Sequence, residues 1–288
     1  MAVGELVGEL STPLPAPARR GRWGAVLGAG AEIWAYRDLL LNLVKRDLAV
    51  RYKRSVLGFG WSFLSPLLMM LVFAIVFQVV KPLSVRSYPL FVLCALLPWY
   101  FLAGSLSGAV RSITGNAQLI DKVYFPREIL PLSVVLSNLV NFLLSLAVFL
   151  PLALLLGARF SAWTLALPLV IGVQVLLVTG LALLLAALNV FYRDTEVVLD
   201  VALTAWFFLT PIFYELELLP NQFLGIDVWR FVYTLNPMAT LVTDYRYILL
   251  YQYPVIRFTL VPFVLGVVFL AVGWYLFRRA APAFSEEV

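Results

Sequence analysis

Residues 46–66 read RDLAVRYKRSVLGFGWSFLSP, in which the cations Arg46, Arg51, Lys53 and Arg54 lead directly into an uncharged apolar run beginning at Leu57. Lys and Arg collect on the cytoplasmic side of a spanning helix, so this junction reads as a membrane boundary and sends the first span outward. The rest of the chain agrees: 62% of its 288 residues are hydrophobic and 13% charged, with a mean hydropathy of +0.95. That is too little polar surface to cover a water-soluble globule of this size. The expected fold class is an all-α integral membrane protein.

Working outward from the junction, six apolar runs are each long enough to cross a hydrocarbon core of roughly 30 Å at 1.5 Å per residue. They lie at about 58–80, 89–110, 129–156, 164–190, 197–213 and 258–277, the fifth being short. Within them Asp200 is the one Asp, Glu, Lys or Arg. Six crossings put both termini in the cytoplasm. On that topology 15 of the 21 Lys and Arg residues face inward and 6 outward, as the positive-inside rule asks. The pI near 9.4 therefore reflects topology and anionic lipid headgroups, and no nucleic-acid partner is expected.

Upstream, residues 1–28 carry Glu5 and Glu9, then Pro13, Pro15 and Pro17 before Arg19, Arg20 and Arg22. This excludes a secretory signal and predicts a flexible cytoplasmic tail. Residues 29–54 predict an amphipathic helix lying in the interface. Arg37, Asp38, Asn42, Lys45, Arg46 and Lys53 fall on one half of the wheel and Ile33, Tyr36, Leu40, Leu43 and Val44 on the other. Asp47 and Arg51 interrupt the apolar arc, and a surface helix of a small soluble domain is the alternative. Residues 55–288 read as one transmembrane domain.

Two connections stand out. Residues 112–124 predict a helix that Pro126 terminates. The 214–257 stretch is too apolar for a solvated loop and too interrupted to span. Asn236 and Pro237 divide it, and Pro220, Gly225 and Pro254 bracket the pieces. A re-entrant helix pair at about 220–253 fits, provided protein or a water-filled cavity surrounds the broken backbone. Two helices lying on the outer surface remain the alternative.

Most catalytic chemistry lacks its parts. The chain has no His, a single Cys94, no G-x-S-x-G turn and no spaced Cys or His set for a metal. Its acidic residues Asp194, Glu196, Asp200, Glu215 and Glu217 are spread over two faces. No catalytic residue and no metal site is expected. Polar residues of the expected bundle interior are Gln78, Asn138, Asn141, Gln174 and Asn189, which disfavours a proton relay. There is no G-x-x-x-x-G-K-[ST] loop, so active transport would draw its energy from another polypeptide.

One set of residues carries a resemblance. It comprises Arg46, Asp47, Leu48, Val50, Arg51, Tyr52, Lys53, Arg54, Ser55, Leu57, Gly58, Trp61, Leu64 and Pro66; then Asn116, Leu119, Ile120, Lys122, Val123, Tyr124, Phe125, Pro126, Arg127, Leu130 and Pro131. Asn189, Val190, Arg193 and Asp194 follow, then Pro211, Ile212 and Tyr214, and finally Asn236 and Pro237. In order and spacing this resembles the ABC-2 type permeases that export lipid-linked polysaccharides such as O-antigen, teichoic acid and capsule. It does not specify the polymer.

The resemblance implies two permease copies working with two cytoplasmic ATPase subunits in a bacterial cytoplasmic (inner) membrane, with MgATP bound by the ATPase and no cofactor in this chain. It makes 112–124 a coupling helix that docks into the ATPase. Asn116, Leu119, Ile120, Asp121, Lys122 and Tyr124 are the candidate contacts, with a second contact at Arg193 and Asp194, which can also pair locally and cap the fifth span. A helix lying on the membrane satisfies the periodicity of 112–124 equally. For an undecaprenyl-pyrophosphate-linked substrate, Arg51, Lys53 and Arg54 sit where an anionic headgroup would leave the inner leaflet, although the positive-inside rule alone accounts for them.

Sugars stack on aromatic faces. The candidate channel aromatics are Trp99, Tyr100, Trp206, Phe207, Phe208, Tyr214, Trp229 and Tyr233, against the alternative of interfacial belts and lipid-facing packing. The reading is thus the transmembrane subunit of an ATP-driven exporter of a lipid-linked glycan. Its rivals are an ABC-2 permease for a small lipophilic drug or lipid and a membrane-embedded glycan-processing enzyme.

Overall fold

The computed structural model describes residues 30–52, 58, 60–80, 88–216, 222–223, 226–255 and 257–287. The 1–28 tail, Lys53 and Arg54, and parts of the 220–253 stretch lie outside the described residues. The chain divides into two compact units, Met1–Arg37 and Asp38–Val288. In the first, a helical turn at 30–35 ends where the Tyr36 amide donates to the carbonyls of Glu32 and Ile33. There the Arg37 guanidinium stands 5.5 Å above the Trp34 ring.

The rest is nearly all helical. α1 (Arg37–Tyr52) and α2 (Gly60–Val80) are followed by α3 (Tyr88–Val110), a 3₁₀ turn at Thr114–Asn116 and the six-residue α4 (Ala117–Lys122). Then come α5 (Ile129–Leu155), α6 (Leu167–Phe191), α7 (Thr195–Leu209), α8 (Val228–Leu235), α9 (Pro237–Arg246), α10 (Leu260–Ala280) and α11 (Phe284–Glu287). Among the described residues the one strand pairing is antiparallel, Gln222 opposite Asp227 and Phe223 opposite Ile226, leading into α8. Among the described residues, four segments are identified as long and apolar enough to cross a membrane: Tyr88–Val110, Ile129–Leu155, Ala162–Phe191 and Leu260–Ala283. They coincide with the second, third, fourth and sixth runs expected from sequence.

The fifth run is cut short. α7 has 15 residues, about 22 Å of helix, and stops at Thr210 because the residue before a proline is driven out of the helical region. Thr210 is extended, with ψ 133°, and Pro211 follows. The expected coupling helix is also shorter than 112–124. Asn116 has a non-helical ψ of 29° and its side-chain amide donates to the Ser112 carbonyl at 2.8 Å, a local bond that competes with helix continuation. Helix therefore starts at Ala117 and ends at Lys122, with Val123 extended.

α3 is the axis of the bundle: 78% of its apolar window is buried, against 22% for α10. Its Pro98 removes a helical donor. A buried polar chain crosses the bundle at this level: Gln174 on α6 donates to the Pro98 carbonyl at 2.7 Å and accepts from the Tyr245 hydroxyl on α9 at 2.8 Å. α6 and α10 lie backbone to backbone at Gly180 and Gly273. A Cβ on Gly180 would come 2.4 Å from the Leu270 nitrogen, and one on Gly273 would come 2.4 Å from the Gly180 carbonyl oxygen. In an apolar medium such close approach gives the dispersion contact that holds helices together.

All ten residues of α9 are buried. Asn236 starts it, with its side-chain oxygen accepting from the amides of Met238 (3.1 Å) and Ala239 (3.2 Å) and Pro237 at the first helical position, the favoured N-terminal pair. The same Asn236 oxygen accepts from the Trp206 indole at 2.8 Å, and its amide donates to the Leu209 carbonyl and the Thr210 hydroxyl. One side chain thus ties the start of α9 to the end of α7.

The end of α9 is fixed by Arg246, 4% exposed. Its guanidinium donates to the carbonyls of Phe91 (3.3 Å), Pro211 (2.6 Å) and Ile212 (2.7 Å) and lies 3.4 Å over the Phe91 ring.

At the chain's far end a clasp closes on the segment after α4. Arg127 donates to the Ala281 carbonyl and stands 5.9 Å over the Phe284 ring. Arg278 donates to the buried Glu128 carboxylate at 2.7 Å. Phe284, fully buried, meets Phe277 edge-on at 5.2 Å.

Candidate functional site

Leu43 and Val44 of α1 are buried, and the following turns of α1 reach α3 and α5 through their side chains. There Arg46, Asp47, Arg51, Arg111, Ser133 and Asn138 line a cavity of about 230 Å³, floored in part by Gly108. A Cβ on Gly108 would meet Val134 at 2.6 Å, so glycine is what lets α5 close against α3 at this level. The interruption of the α1 apolar arc now has a cause: Asp47 and Arg51 share the buried side with Leu43 and Val44 because that side faces a polar cavity.

Three guanidinium groups converge here, each held by weak partners. Arg46 donates to Asn116 Oδ1 at 3.2 Å and pairs with Asp47 at 3.0 Å. Arg51 donates to the neutral Asn138 amide oxygen at 3.0 Å, itself set by a bond from Asn138 Nδ2 to the Val134 carbonyl. Arg111 pairs with Glu196 at 2.6 Å, both side chains a third or more exposed. Exposed pairs of this kind contribute about 0–1 kcal/mol, so an anion with several oxygens can outcompete them. Guanidinium forks match phosphate geometry and hold it bidentately. The cavity is chemically suited to a phosphate or diphosphate group, and the hydroxyls of Ser112, Ser133 and Ser137 in its lining donate to backbone carbonyls.

Of the predicted headgroup residues, Arg51 lines this cavity, while Lys53 and Arg54 are outside the described residues. Asn116, expected at an ATPase contact, faces the cavity through Arg46. Ile120 is buried, Leu119 half-buried, and Lys122 and Tyr124 are exposed; the Asp121 side chain is outside those described. Arg193 and Asp194 are exposed, and Asp194 stands at the α7 N-cap without a side-chain capping bond.

The aromatic set separates. Trp99 meets Trp206 at 6.0 Å and Phe207 at 5.4 Å, an internal cluster extended by Phe213 at 5.2 Å from Phe207. Tyr100 and Phe208 are exposed. Tyr214 and Trp229 are partly exposed, and Tyr233 stacks on Phe258 at 5.3 Å. These eight rings do not form one lining. Sequence reasoning missed Arg46 and Arg111 as cavity residues, having assigned both to topology. The available signal was Ser133, Ser137 and Asn138 recurring on one side of an otherwise apolar helix.

A bundle of apolar helices with one basic cavity lined by α1, α3 and α5 fits the frame of a membrane permease. The ABC-2 type transporter family model matches residues 38–250, and the chain belongs to that family, whose members are transmembrane subunits of transporters.

The chain is 39% identical over 219 residues to the O-antigen export system permease protein RfbA of Myxococcus xanthus, covering 75% of this chain and 81% of that one. It is 30% identical over 250 residues to RfbA of Klebsiella pneumoniae, covering 86% and 94%. Against the polysialic acid transport protein KpsM of Escherichia coli it is 23% identical over 195 residues, covering 65% and 74%.

Proposed function

We propose that this chain is the membrane subunit of an ATP-driven exporter that moves a polysaccharide linked through a diphosphate to a polyprenyl lipid. The observation that carries this reading is the convergence of Arg46, Arg51 and Arg111 on one cavity beneath an interfacial helix. A lipid-borne diphosphate is the ligand that would arrive there from the adjacent leaflet. The names of the relatives, O-antigen export permease and polysialic acid transport protein, support a polysaccharide as the cargo.

In this account α2 and α7 complete six crossings, the cation excess places the basic cavity on the cytoplasmic side of the inner membrane, and α8–α9 form a re-entrant pair. Complete burial of α9 meets the condition that broken backbone in a membrane be surrounded by protein. A partner ATPase docks on Lys122, Tyr124, Arg193 and Asp194. A second copy covers α7, where Asp200 is exposed among the apolar residues Val197, Val198 and Val201; facing lipid, a charged carboxylate would cost several kcal/mol. The exposed rings of Tyr100 and Phe208 then border the glycan path.

The test is ATP turnover by the purified permease–ATPase complex in nanodiscs. Undecaprenyl-diphosphate-linked glycan raises turnover, whereas lipophilic drugs do not. Arg46→Gln and Arg51→Gln each raise the half-stimulating lipid concentration about tenfold, the loss of one charge-assisted bond of about 1.5 kcal/mol. Equal stimulation of the wild type and both variants would refute the headgroup assignment. Stimulation by drugs alone would refute the cargo.

A further inference from the structure

We infer that the opposite end of the bundle carries a separate site for a single neutral sugar ring, built from the segment that follows α9. A second cavity, of about 200 Å³, lies there, lined by Glu215, Tyr233, Arg246, Tyr247, Tyr251 and Tyr253 among others. It touches α3 at Phe91, whereas the basic cavity touches α3 at Gly108. The separation of 17 positions sets the two sites about 26 Å apart along the helix.

The lining chemistry differs from that of the basic cavity. The charge of Arg246 is already directed to three backbone carbonyls and is offset by the nearby Glu215 carboxylate, so the site does not select an anion. It offers instead tyrosine ring faces, tyrosine hydroxyls and a carboxylate acceptor, the groups that recognise the CH faces and hydroxyls of a pyranose. Glu215 is pre-positioned by the Tyr251 hydroxyl, which donates to it at 2.7 Å and occupies one of its acceptor sites. The volume decides the size of ligand: it lies below the roughly 300–1,000 Å³ of drug-sized pockets and equals about seven waters of liquid volume at roughly 30 Å³ each, room for one ring and not for an oligosaccharide.

The backbone gives independent support. Tyr247–Tyr251 is a π-helical turn, and Gln252 after it is left-handed with φ 59°; it is the one non-glycine residue with positive φ among those described. Both features are unfavourable for ordinary residues and concentrate at functional sites. Here their product is specific. The Tyr253 amide closes back on the Tyr247 carbonyl at 2.9 Å, and the Tyr247 ring meets Tyr251 at 6.1 Å and Tyr253 at 5.7 Å, both edge-on. The strained turn gathers three tyrosines at the mouth of one cavity, with Tyr253 60% exposed at its lip.

The ligand class deepens the export reading and rests on it: a glycan whose lipid head is handled at the basic end presents sugar rings at this one. Saturation-transfer NMR on the full permease–ATPase complex in nanodiscs tests it, with methyl α-D-mannoside, methyl α-D-galactoside, methyl α-L-rhamnoside and N-acetylglucosamine as separate probes. At least one probe receives saturation, with millimolar affinity that falls about fivefold or more in Glu215→Gln and in Tyr253→Ala, each losing about one hydrogen bond or ring contact. Thermal unfolding checks that both variants remain folded, and Tyr253→Ala, at an exposed lip, is chosen to preserve folding should Glu215→Gln not. Absence of saturation for all four probes, or saturation unchanged in the folded variants, overturns the site. ATP turnover of the wild-type complex with lipid-linked glycan, read on the same preparation, reports separately on the export reading.

Discussion

Arg246 and Arg51 show how the same side chain is used in two ways. Arg246 is closed in, with three carbonyls and an aromatic face taking up its guanidinium, so its task is to hold the end of α9 against the start of α3 and the Pro211 kink. Arg246→Ala would leave these carbonyls without their donor in a buried place, at about 1–3 kcal/mol for each group left unsatisfied. The expected outcome is a thermal unfolding midpoint lowered by several degrees and a poorer yield of intact complex, with Arg246→Lys recovering only part because an ammonium cannot fork. Arg51 rests on a neutral amide at the edge of a cavity. Its replacement by Gln should leave the unfolding midpoint within about 0.5 kcal/mol equivalent of wild type while weakening lipid stimulation. A matching loss of stability in both variants would contradict this division of roles.

At the scale of elements, the connection between α3 and α5 is assembled from distant pieces. A helix after the second span was legible from its polar and apolar mixture. Its truncation was not, because Asn116 breaks it through a local bond to the Ser112 carbonyl, while its side-chain oxygen accepts from Arg46, 70 residues away. The clasp on Arg127 and Glu128 was likewise invisible: it joins residues 154 and 150 positions apart, and neither charge is unusual for a membrane end.

Replacing Asp121 and Lys122 together should weaken co-purification of the ATPase while membrane insertion is kept. Glu128→Ala should retain ATPase binding but leave Arg278 without its carboxylate, loosening α10 and α11 from the coupling segment. The expected result is ATP turnover that no longer rises with lipid-linked glycan. Unaltered stimulation in Glu128→Ala would mean that the clasp is only structural. Gly180→Leu, which forces α6 from α10, should abolish folding outright, seen as loss of a monodisperse complex in size-exclusion chromatography.

Across the whole molecule, composition and charge asymmetry made the membrane class readable at once, since apolar runs of this length have few other uses. Among the described residues, four of the six runs meet the length and hydropathy of a span, the first run forms the 21-residue α2, and α7 falls short because Pro211 interrupts it. What pattern alone could not supply was convergence. Arg46, Arg51 and Arg111 are separated in sequence by up to 65 positions, and only the folded chain brings them to one cavity. The same holds for Glu215 and the tyrosines beyond α9.

On the proposed export reading, this chain is a conduit without its own motor, loaded at a basic cavity and driven by nucleotide hydrolysis in another protein. A fluorescent undecaprenyl-diphosphate-linked glycan followed in proteoliposomes, with a lectin on one side reporting arrival, puts this to the test. Translocation that requires both the ATPase partner and MgATP, and that falls sharply when Arg46 and Arg51 are both changed to Gln, is the predicted result. Translocation at the same rate by the permease alone, or by the double variant with its partner, would contradict it.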